Sequence, residues 1–427
     1  MKGGAILKLI KKKIILLLAF IALAVIFLYF RPAPASISTP EDFGADGFDR
    51  EPDTEAIQKA LDSGADMVIL KEGATYYIDQ TLTADQSLKL TSGPKKANII
   101  QQSEEERVFY FRNRARSSFY LADDVKKGTK AILAPAAKKA QPGDIIELKS
   151  DVLWHWDNRN SLTKGELHTV EKVSGDTIYL SSKTDDSYAV SKGEKVTINL
   201  YSPKTIHVEN VRFSYTMPVK NTAIIIEPAV DSTFKNINVS KAQETGIKLI
   251  KNINATLEKS FFSLHTDEMV PTGYGFQDYG GRGTTVKNST FEKVRRGVDF
   301  SGDIPSRFGR VENSTAYGPD KGTLAAGNSG FGTHSTAEYI TFENNTVENF
   351  DYHFVSRGNY ISFLNNTGTG NARAFFHITH GGEVKLDGNH YEDKGGNELD
   401  YFILKGTQFD GHITKNENTG PARIFEQ

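Results

Sequence analysis

Short stretches of alternating apolar and polar residues recur along the C-terminal half of the chain, and each ends in asparagine. The clearest copies are residues 232–236, 285–288, 310–313, 340–345 and 361–366. Alternation of this kind predicts strands with one buried face. Asparagine tolerates the left-handed backbone conformation that a sharp corner requires, and stacked amides can hydrogen-bond from one coil to the next. The interval from Asn344 to Asn365 lies within the repeat lengths of solenoids. The pattern therefore predicts an all-β solenoid with asparagine at one corner.

A second strand in each coil ends in glycine, which predicts another corner. These glycines are Gly280, Gly302, Gly358, Gly381 and Gly406. If they stack, the residues immediately before them form a column with neighbouring coils about 4.8 Å apart. The column would contain Tyr279, Ser301, Arg357, His380 and Lys405.

The N-terminal part of the solenoid begins with the acidic, glycine-rich run 41–47, followed by residues 53–61 and the apolar run 68–77. Asp53 or Thr54 is expected to cap a short amphipathic helix that plugs the end of the solenoid. The order of these residues resembles the N-terminal signature of the pectate-lyase-like superfamily, which includes polygalacturonases, lyases, epimerases and phage tailspikes. The resemblance implies a right-handed parallel β-helix that acts on, or binds, polysaccharide, and we place this domain at residues 41–427.

The strand pattern changes between about residues 122 and 201, where short strands alternate with turns. Gly175 and Asp176 separate two strand-like stretches and predict a hairpin. We interpret this region as a small β insertion, after which the solenoid resumes at residues 205–211.

Residues 14–30 form an uncharged apolar run preceded by Lys8, Lys11, Lys12 and Lys13. Its length and flanking charges predict a transmembrane anchor with residues 1–13 in the cytoplasm, residues 31–40 as a linker, and the remainder of a single-pass protein outside the cell membrane. The alternative is a signal peptide cleaved near Ala33 and Ala35, which would release a secreted protein. Both interpretations make the protein extracytoplasmic.

The composition of the chain excludes several classes of function and site. The formal net charge of −2 gives no broad basic field for nucleic acid. The chain has no cysteine, which excludes disulfides and thiolate metal sites. No metal site is predicted, although pectate-lyase relatives often use calcium and that cofactor stays open. The sequence leaves the oligomeric state open.

Candidate chemistry concentrates near the glycine column. Asp278 and Asp299 are expected on the same strip, and His334 enters the coil that precedes Arg357. Residues 333–335, 340–347 and 353–358 resemble the active-site stretch of bacterial mannuronan C5-epimerases. The resemblance implies that His334 is the proton-transferring histidine and Arg357 the arginine that neutralises the substrate carboxylate. The family histidine lies in an Asp-Pro-His context, whereas Gly332, Thr333 and Ser335 surround His334 without an acid.

This residue pair suits removal of the C5 proton of a uronate. Negative charge develops towards the carboxylate as the proton leaves, so the base must act beside a cation. Reprotonation from the opposite face gives epimerisation, whereas loss of the O4 substituent gives β-elimination. Tyr279 or His380 would supply the second proton. The sequence therefore predicts an enzyme that modifies an acidic polysaccharide as a C5-epimerase or lyase.

Two other functions remain open. A glycoside hydrolase on the same fold would use Asp278, Asp299 or Asp303 as paired carboxylates. A non-catalytic carbohydrate-binding solenoid would need none of these groups. Both structural and functional roles are open for His334, as a corner histidine or a base, and for Arg357, as a strand cap or a clamp. Further candidates for substrate contact are Trp154, Trp156, Arg282 and Lys405, although the two tryptophans would equally pack the insertion against the solenoid.

Overall fold

The computed structural model describes residues 35–154, 161–264, 272–318, 328–370, 372–379 and 383–392, together with the backbone of four strands beyond them, Leu399–Leu404, His412–Thr414, Glu417–Asn418 and Ala422–Glu426. Residues Ile37–Gln427 form one compact unit. Within the described part of the chain, no helix is both long and apolar enough to cross a membrane. The predicted anchor at residues 14–30 lies outside the described residues and stays a prediction.

Three long parallel sheets wind around one core, which makes the fold a parallel β-helix, as predicted. The first sheet contains Ile37–Ser38, Met67–Leu70, Leu88–Ser92, Ile206–Glu209, Thr233–Lys235, Thr256–Glu258, Thr285–Lys287, Arg310–Glu312, Thr341–Glu343, Ile361–Leu364, Val384–Asp387 and His412–Thr414. The second contains Thr75–Ile78, Ala97–Gln101, Val211–Tyr215, Asn238–Ser240, Phe261–Ser263, Thr290–Glu292, Thr315–Tyr317, Thr346–Glu348, Thr367–Thr369, His390–Glu392 and Glu417–Asn418. The third contains Leu82–Ala84, Phe109–Phe111, Thr222–Ile226, Thr245–Ile250, Tyr274–Tyr279, Arg296–Ser301, Ser329–Thr333, Tyr352–Ser356, Ala374–Ile378, Leu399–Leu404 and Ala422–Glu426. A two-stranded sheet pairs Ser306–Arg307 with Ala337–Glu338.

The core is built from columns of inward-facing side chains, one residue per coil. In the third sheet such a column contains Phe276, Val298, Phe331, Phe354 and Phe376, which are paired in register and fully buried. Burying each of these side chains contributes about 1.5–3 kcal/mol. Because side chains alternate between faces along a strand, this inward column fixes which neighbouring residues face outward.

Asparagine corners form as predicted. Positive φ angles of 51° and 50° occur at Asn288 and Asn313, and of 55° and 52° at Asn344 and Asn365. Directly after the last two, a buried ladder runs through Asn345, Asn366 and Asn389. The side-chain oxygen of Asn366 accepts from the backbone and side-chain nitrogens of Asn345 at 3.0 and 3.1 Å.

The glycine corners share a register but not a conformation. Gly280 has a φ of 73°, in the left-handed region, whereas Gly302 has a φ of 157° and Gly358 has no positive φ. A side chain at Gly302 would meet the backbone nitrogen of Gly280 at 2.6 Å, so close packing of the chain explains this glycine. Gly381 and Gly406 lie outside the described residues.

The predicted capping helix spans Thr54–Asp62 and buries Ala56, Ile57, Ala60 and Leu61. Asp53 occupies the N-cap position but makes no side-chain bond to the helix. Its carboxylate instead accepts from the backbone nitrogen of Asp46 at 3.0 Å, and the Thr54 hydroxyl donates to Asp79 at 2.7 Å. Asp53 thus caps the helix by position, as expected, but without a side-chain hydrogen bond to it, because both side chains bond to neighbouring segments instead.

A six-stranded antiparallel sheet interrupts the solenoid between its early coils. In spatial order its strands are Ser117–Tyr120, Val196–Tyr201, Ile145–Leu153, Thr163–Ser174, Thr177–Leu180 and Ala131–Leu133. Gly175, with a φ of 59°, turns the hairpin between the fourth and fifth of these. The solenoid resumes at Ile206–Glu209, which pairs with Leu88–Ser92. Short 3-10 helices occupy Pro40–Phe43, Ala137–Lys139 and Val190–Lys192.

The buried amide ladder yields a stability prediction. Asn366→Ala should lower the free energy of unfolding by about 2–3 kcal/mol, since it strands buried donors and acceptors on Asn345, Asn389 and the carbonyl of Phe342. Chemical denaturation of the full chain measures this loss. Thr367→Ala, at a half-buried position in the next strand, is the control and should change stability by less than about 0.5 kcal/mol. Equal losses in both variants would contradict the role of the ladder.

Candidate active site on the third sheet

The outer face of the third sheet gathers most of the described candidate residues. Gln277, Asp299 and Gly332 are paired in one outward-facing column. Tyr279 and Ser301 are paired in the next column. His334 and Arg357 directly follow two strands that are paired as far as Gly332 and Val355, so the continuation of that register brings both residues into the second column. The strands therefore align groups separated by up to three coils of sequence.

His334 and Asp299 form a hydrogen-bonded pair. Nδ1 of His334 lies 2.8 Å from Oδ1 of Asp299, and the backbone nitrogen of His334 donates to the carbonyl of Phe300 at 2.8 Å. The side chain of His334 is 24% exposed while that of Asp299 is fully buried, so the imidazole stands between the carboxylate and solvent. A proton on Nδ1 leaves Nε2 as the acceptor that faces outward.

The carboxylate of Asp299 is satisfied on both oxygens. Oδ1 also accepts from Nη1 of Arg296, while Oδ2 accepts from the Ser301 hydroxyl at 2.9 Å and from Nε2 of Gln277 at 3.4 Å. Burial by itself would raise the pKa of Asp299, but the charges of His334 and Arg296 and the hydrogen bonds hold that pKa well below its usual range. Asp299 is therefore an ionised group that orients His334.

Arg357 acts at the same place from the following coil. Its backbone nitrogen donates to the hydroxyl of Thr333 at 3.1 Å, which fixes the turn beside His334. Its charge reaches Tyr274 and Tyr352: burial raises the pKa of both phenols, and Arg357 is among the groups that lower it. The ring of Tyr274 lies 6.1 Å from that of His334 in an edge-on arrangement. The ring of Tyr274 is thus a neighbour of the imidazole, and its phenol lies within the electrostatic reach of Arg357.

The structure corrects the placement of Asp278. Its register partner is the buried Phe300, and its side chain points into the solenoid, where Oδ1 accepts from the backbone nitrogen of Gly281 at 2.9 Å. Burial raises the pKa of Asp278 to about 7. The pKa of Asp278 is raised, whereas that of Asp299 is lowered, and a hydrolase needs such a difference between its acid and its base. The two carboxylates, however, face opposite sides of the sheet. Asp278 is therefore a corner-stabilising group, and the expectation that it shares the strip with Asp299 was wrong.

Tyr279 faces outward but lies two strands from the strand that leads to His334. Ser301 separates them in the column, which corresponds to about 9–10 Å of sheet. The ring of Tyr279 contacts the ammonium of Lys248 at 4.4 Å. The register also places Thr379, not His380, in the column after Arg357, because Ser356 pairs with Ile378. His380 and Lys405 lie outside the described residues.

Trp154 packs the insertion against the solenoid. It is 1% exposed, and its Nε1 donates to the carbonyl of Ser335 at 2.8 Å, one residue after His334. The guanidinium of Arg307 lies 5.8 Å from its ring. Trp154 therefore offers no ring face to a sugar, and of its two predicted roles the packing of the insertion against the solenoid is the one observed. Trp156 lies outside the described residues.

Charged residues complete the contact with the insertion. Arg282 pairs with Asp185 and lies 4.5 Å from the Phe308 ring, so its guanidinium is engaged in docking, away from the outer face of the third sheet. Lys149 and Lys251 both contact Asp303, which explains why this carboxylate is held at the interface. The contacts account for Arg282 and Asp303 without a substrate.

One group in the described residues has metal-ligand chemistry: Glu166, His168 and Asp185 in the insertion. Nε2 of His168 lies 2.8 Å from Glu166, and Nδ1 lies 2.6 Å from the Ser182 hydroxyl. Asp185 is paired with Arg282. Both imidazole nitrogens and the aspartate thus have protein partners at this interface, whereas Oε1 of Glu166 is buried without a hydrogen-bond partner.

Sequence reasoning missed the connection between Asp299 and His334 and the contributions of Arg296 and Tyr274. The acid that the histidine needs comes from the preceding coil, so no local motif contains it. Only the register of the folded coils aligns Asp299 with Gly332, two residues before His334. Tyr274 begins its strand and carries no local signal.

Comparisons with known proteins agree with this architecture. The sequence model of the family described as right handed beta helix region matches residues 196–391. No curated protein matches the sequence. Among solved structures, the tailspike of Pseudomonas phage LKA1 is similar with a TM-score of 0.70 at 19% identity, covering 83% of this chain and 64% of that one. The chain thus spans somewhat less than two thirds of that protein.

Two further tailspikes share the fold. The tailspike of Acinetobacter baumannii bacteriophage AP22, solved with a capsular saccharide, gives a TM-score of 0.68 at 16% identity over 90% of this chain and 70% of that one. The tailspike of Pseudomonas phage phi297 gives 0.61 at 17% identity over 92% and 76%. At these identities the similarity shows the fold and not the activity.

The two aspartates should respond oppositely to amidation. Asp299→Asn leaves the buried Arg296 without its carboxylate and should cost about 3 kcal/mol of unfolding free energy near neutral pH. Asp278→Asn should instead stabilise the protein at pH 8, because the raised pKa means that folding at this pH requires an unfavourable buried charge. The stability of Asp278→Asn relative to the wild type should be unchanged below about pH 4, increase between about pH 4 and 7, and stay constant above about pH 7.

Denaturant titrations of the full chain at pH 4.5, 6 and 8 measure both effects. Stabilisation of Asp278→Asn that did not grow with pH would contradict the burial of an ionisable carboxyl group at that corner.

Proposed function

We propose that this protein modifies a uronate-containing polysaccharide by removing the C5 proton, as an epimerase or a lyase. The observation that carries the proposal is the hydrogen bond between His334 and the ionised, buried Asp299, with Arg357 in the next coil. The resemblance to mannuronan C5-epimerases in residues 333–358 supports the same assignment. Phage tailspikes of the same fold, one of them solved with a capsular saccharide, are consistent with a polysaccharide substrate.

In the proposed reaction Asp299 accepts the Nδ1 proton of His334 in a hydrogen bond and orients the ring, so that Nε2 takes the C5 proton. The imidazolium that forms is stabilised by the carboxylate of Asp299. Arg357 binds the substrate carboxylate, where negative charge develops as the C5–H bond breaks. Arg296 offsets the charge of Asp299, which keeps this buried carboxylate from repelling the uronate.

The second proton transfer decides the outcome. A group on the opposite face of the sugar that protonates C5 gives the epimer, whereas protonation of the departing O4 gives an unsaturated product. Tyr274, whose phenol lies beside both His334 and Arg357, is the nearest described candidate, and Tyr279 lies farther along the sheet. The apolar run at residues 14–30 leads us to propose that the reaction takes place outside the cytoplasmic membrane.

The deciding experiment incubates the full chain with alginate, polygalacturonate and polyglucuronate in deuterated water. NMR reports deuterium at C5, and absorbance of the unsaturated uronate reports elimination. His334→Ala should lower the rate by about 10²–10⁴-fold through loss of general-base catalysis, and Arg357→Ala should also abolish most turnover. The control Lys235→Met alters an exposed ion pair of the first sheet and should leave the rate unchanged.

Reducing ends without C5 exchange or unsaturation would refute proton abstraction and favour hydrolysis. Binding without any turnover in the wild-type chain would favour a carbohydrate-binding solenoid.

The hydrogen bond from Trp154 to Ser335 should raise the rate of the same reaction. Trp154→Phe keeps an aromatic ring but removes the hydrogen bond that holds the peptide after His334, and we expect roughly a fivefold lower kcat with KM unchanged. Tyr201→Phe is the matched control, because it removes a 2.8 Å bond to Glu147 elsewhere in the insertion. Steady-state kinetics across pH distinguish the two variants. An equal loss of kcat in both would make the effect one of general stability.

A further inference from the structure

The outer face of the third sheet carries a second cation that the proposed reaction does not use. Lys248 pairs in register with Gln277, and Gln277 pairs with Asp299, so Lys248 lies in the same outward column two strands away. Its neighbours Ile247 and Leu249 face the core, which fixes the outward direction of the lysine. The ammonium therefore projects over the same surface as His334.

Lys248 contacts an aromatic ring and has no counter-ion among the described residues. Its Nζ lies 4.4 Å from the centroid of the Tyr279 ring, and in the part of the chain that the structure describes no carboxylate lies within ion-pair distance of it. Burial lowers the pKa of Lys248, with Glu244 and Asp299 opposing the shift from farther away. Lys251, which directly follows the strand of Lys248, differs in this respect, because it contacts Glu147 at 2.6 Å. An immobilised, partly desolvated ammonium without a carboxylate is a suitable site for an external anion.

We infer that Lys248 is a distal subsite that binds the carboxylate of a second uronate in the same polymer. This inference rests on the proposed function for the identity of the ligand. The strand of Lys248 and the strand that leads to Arg357 are four ladder steps apart, Thr245–Ile250 to Tyr352–Ser356, which corresponds to about 19 Å along the solenoid. A polymer bound at both cations crosses the strands and follows the solenoid axis.

The two cations should affect different steps, Arg357 the reaction and Lys248 the binding of the polymer. Arg357 lies beside the base and contributes to the reaction itself. Lys248 is too far from His334 to affect bond breaking, so it contributes binding energy that does not change between ground state and transition state. Loss of such an interaction raises KM and leaves kcat unchanged. A short oligosaccharide that reaches His334 but not Lys248 should not respond to the lysine.

The test measures binding separately from turnover. In a full chain carrying His334→Ala, the affinity for alginate, polygalacturonate and polyglucuronate is determined by calorimetry with and without Lys248→Met, at low and high salt. Methionine keeps the unbranched stem and removes the charge. We expect about a tenfold weaker Kd for a polymer that binds, a weaker salt dependence, and no difference for the same polymer after its carboxylates are reduced to alcohols.

Lys235→Met on the first sheet is the matched control, because Lys235 lies in ion pairs with Glu209 and Glu258 and faces another side of the solenoid. Unchanged affinity in Lys248→Met, or an equal loss with the carboxyl-reduced polymer, overturns the subsite. Charge-dependent binding through Lys248 in a protein that shows no C5 exchange or elimination supports the subsite and overturns the proposed reaction. Absence of binding to all three polymers overturns both.

Discussion

The candidate site depends on the burial of one carboxylate. Asp299 is fully shielded from solvent, and an ionised group in that position is tolerated only if both oxygens are paired. Its partners come from three successive strands, since Gln277 precedes it, Arg296 and Ser301 share its strand, and His334 follows the next one. The orientation of the imidazole is thus a consequence of satisfying the charge beneath it. In the proposed reaction, the base is the histidine that covers the solvent-facing side of Asp299.

The insertion contributes to the site although its sequence lies far from it. Trp154 binds the peptide that follows His334, and Arg307 packs near the tryptophan ring while it pairs with Glu338 and Asp186 and donates to the carbonyl of Gly165 at 2.7 Å. Trp154 and Arg307 are both almost fully buried, so these contacts are shielded from solvent. The insertion thus restrains the backbone after His334, while Asp299 restrains the imidazole itself.

Local signals were sufficient for the architecture but not for the site. The corners at Asn288, Asn313, Asn344 and Asn365 could be predicted because a positive φ angle is a property of single residues. Which residues of neighbouring coils meet depends on loops of unequal length, so Asp278 was assigned to the wrong face and His380 to the position that the register gives to Thr379. The acid partner of His334 and the burial of Trp154 depend on contacts distant in sequence. Alternation defines the faces of each strand, whereas the alignment between strands requires the folded coils.

The charges on the outer face explain how a site with a buried aspartate can accept an acidic polymer. The charge of Asp299 is offset by Arg296 within the sheet, and the exposed element of the pair is the imidazole. Arg357 and Lys248 then leave the face locally cationic, although the whole chain carries a formal net charge of −2. Local fields of this kind act within about 8–10 Å at physiological ionic strength, so the arrangement of these few groups matters more than the net charge. In the proposed function, binding of an anionic polymer would then depend on these groups of the third sheet more than on the net charge of the chain.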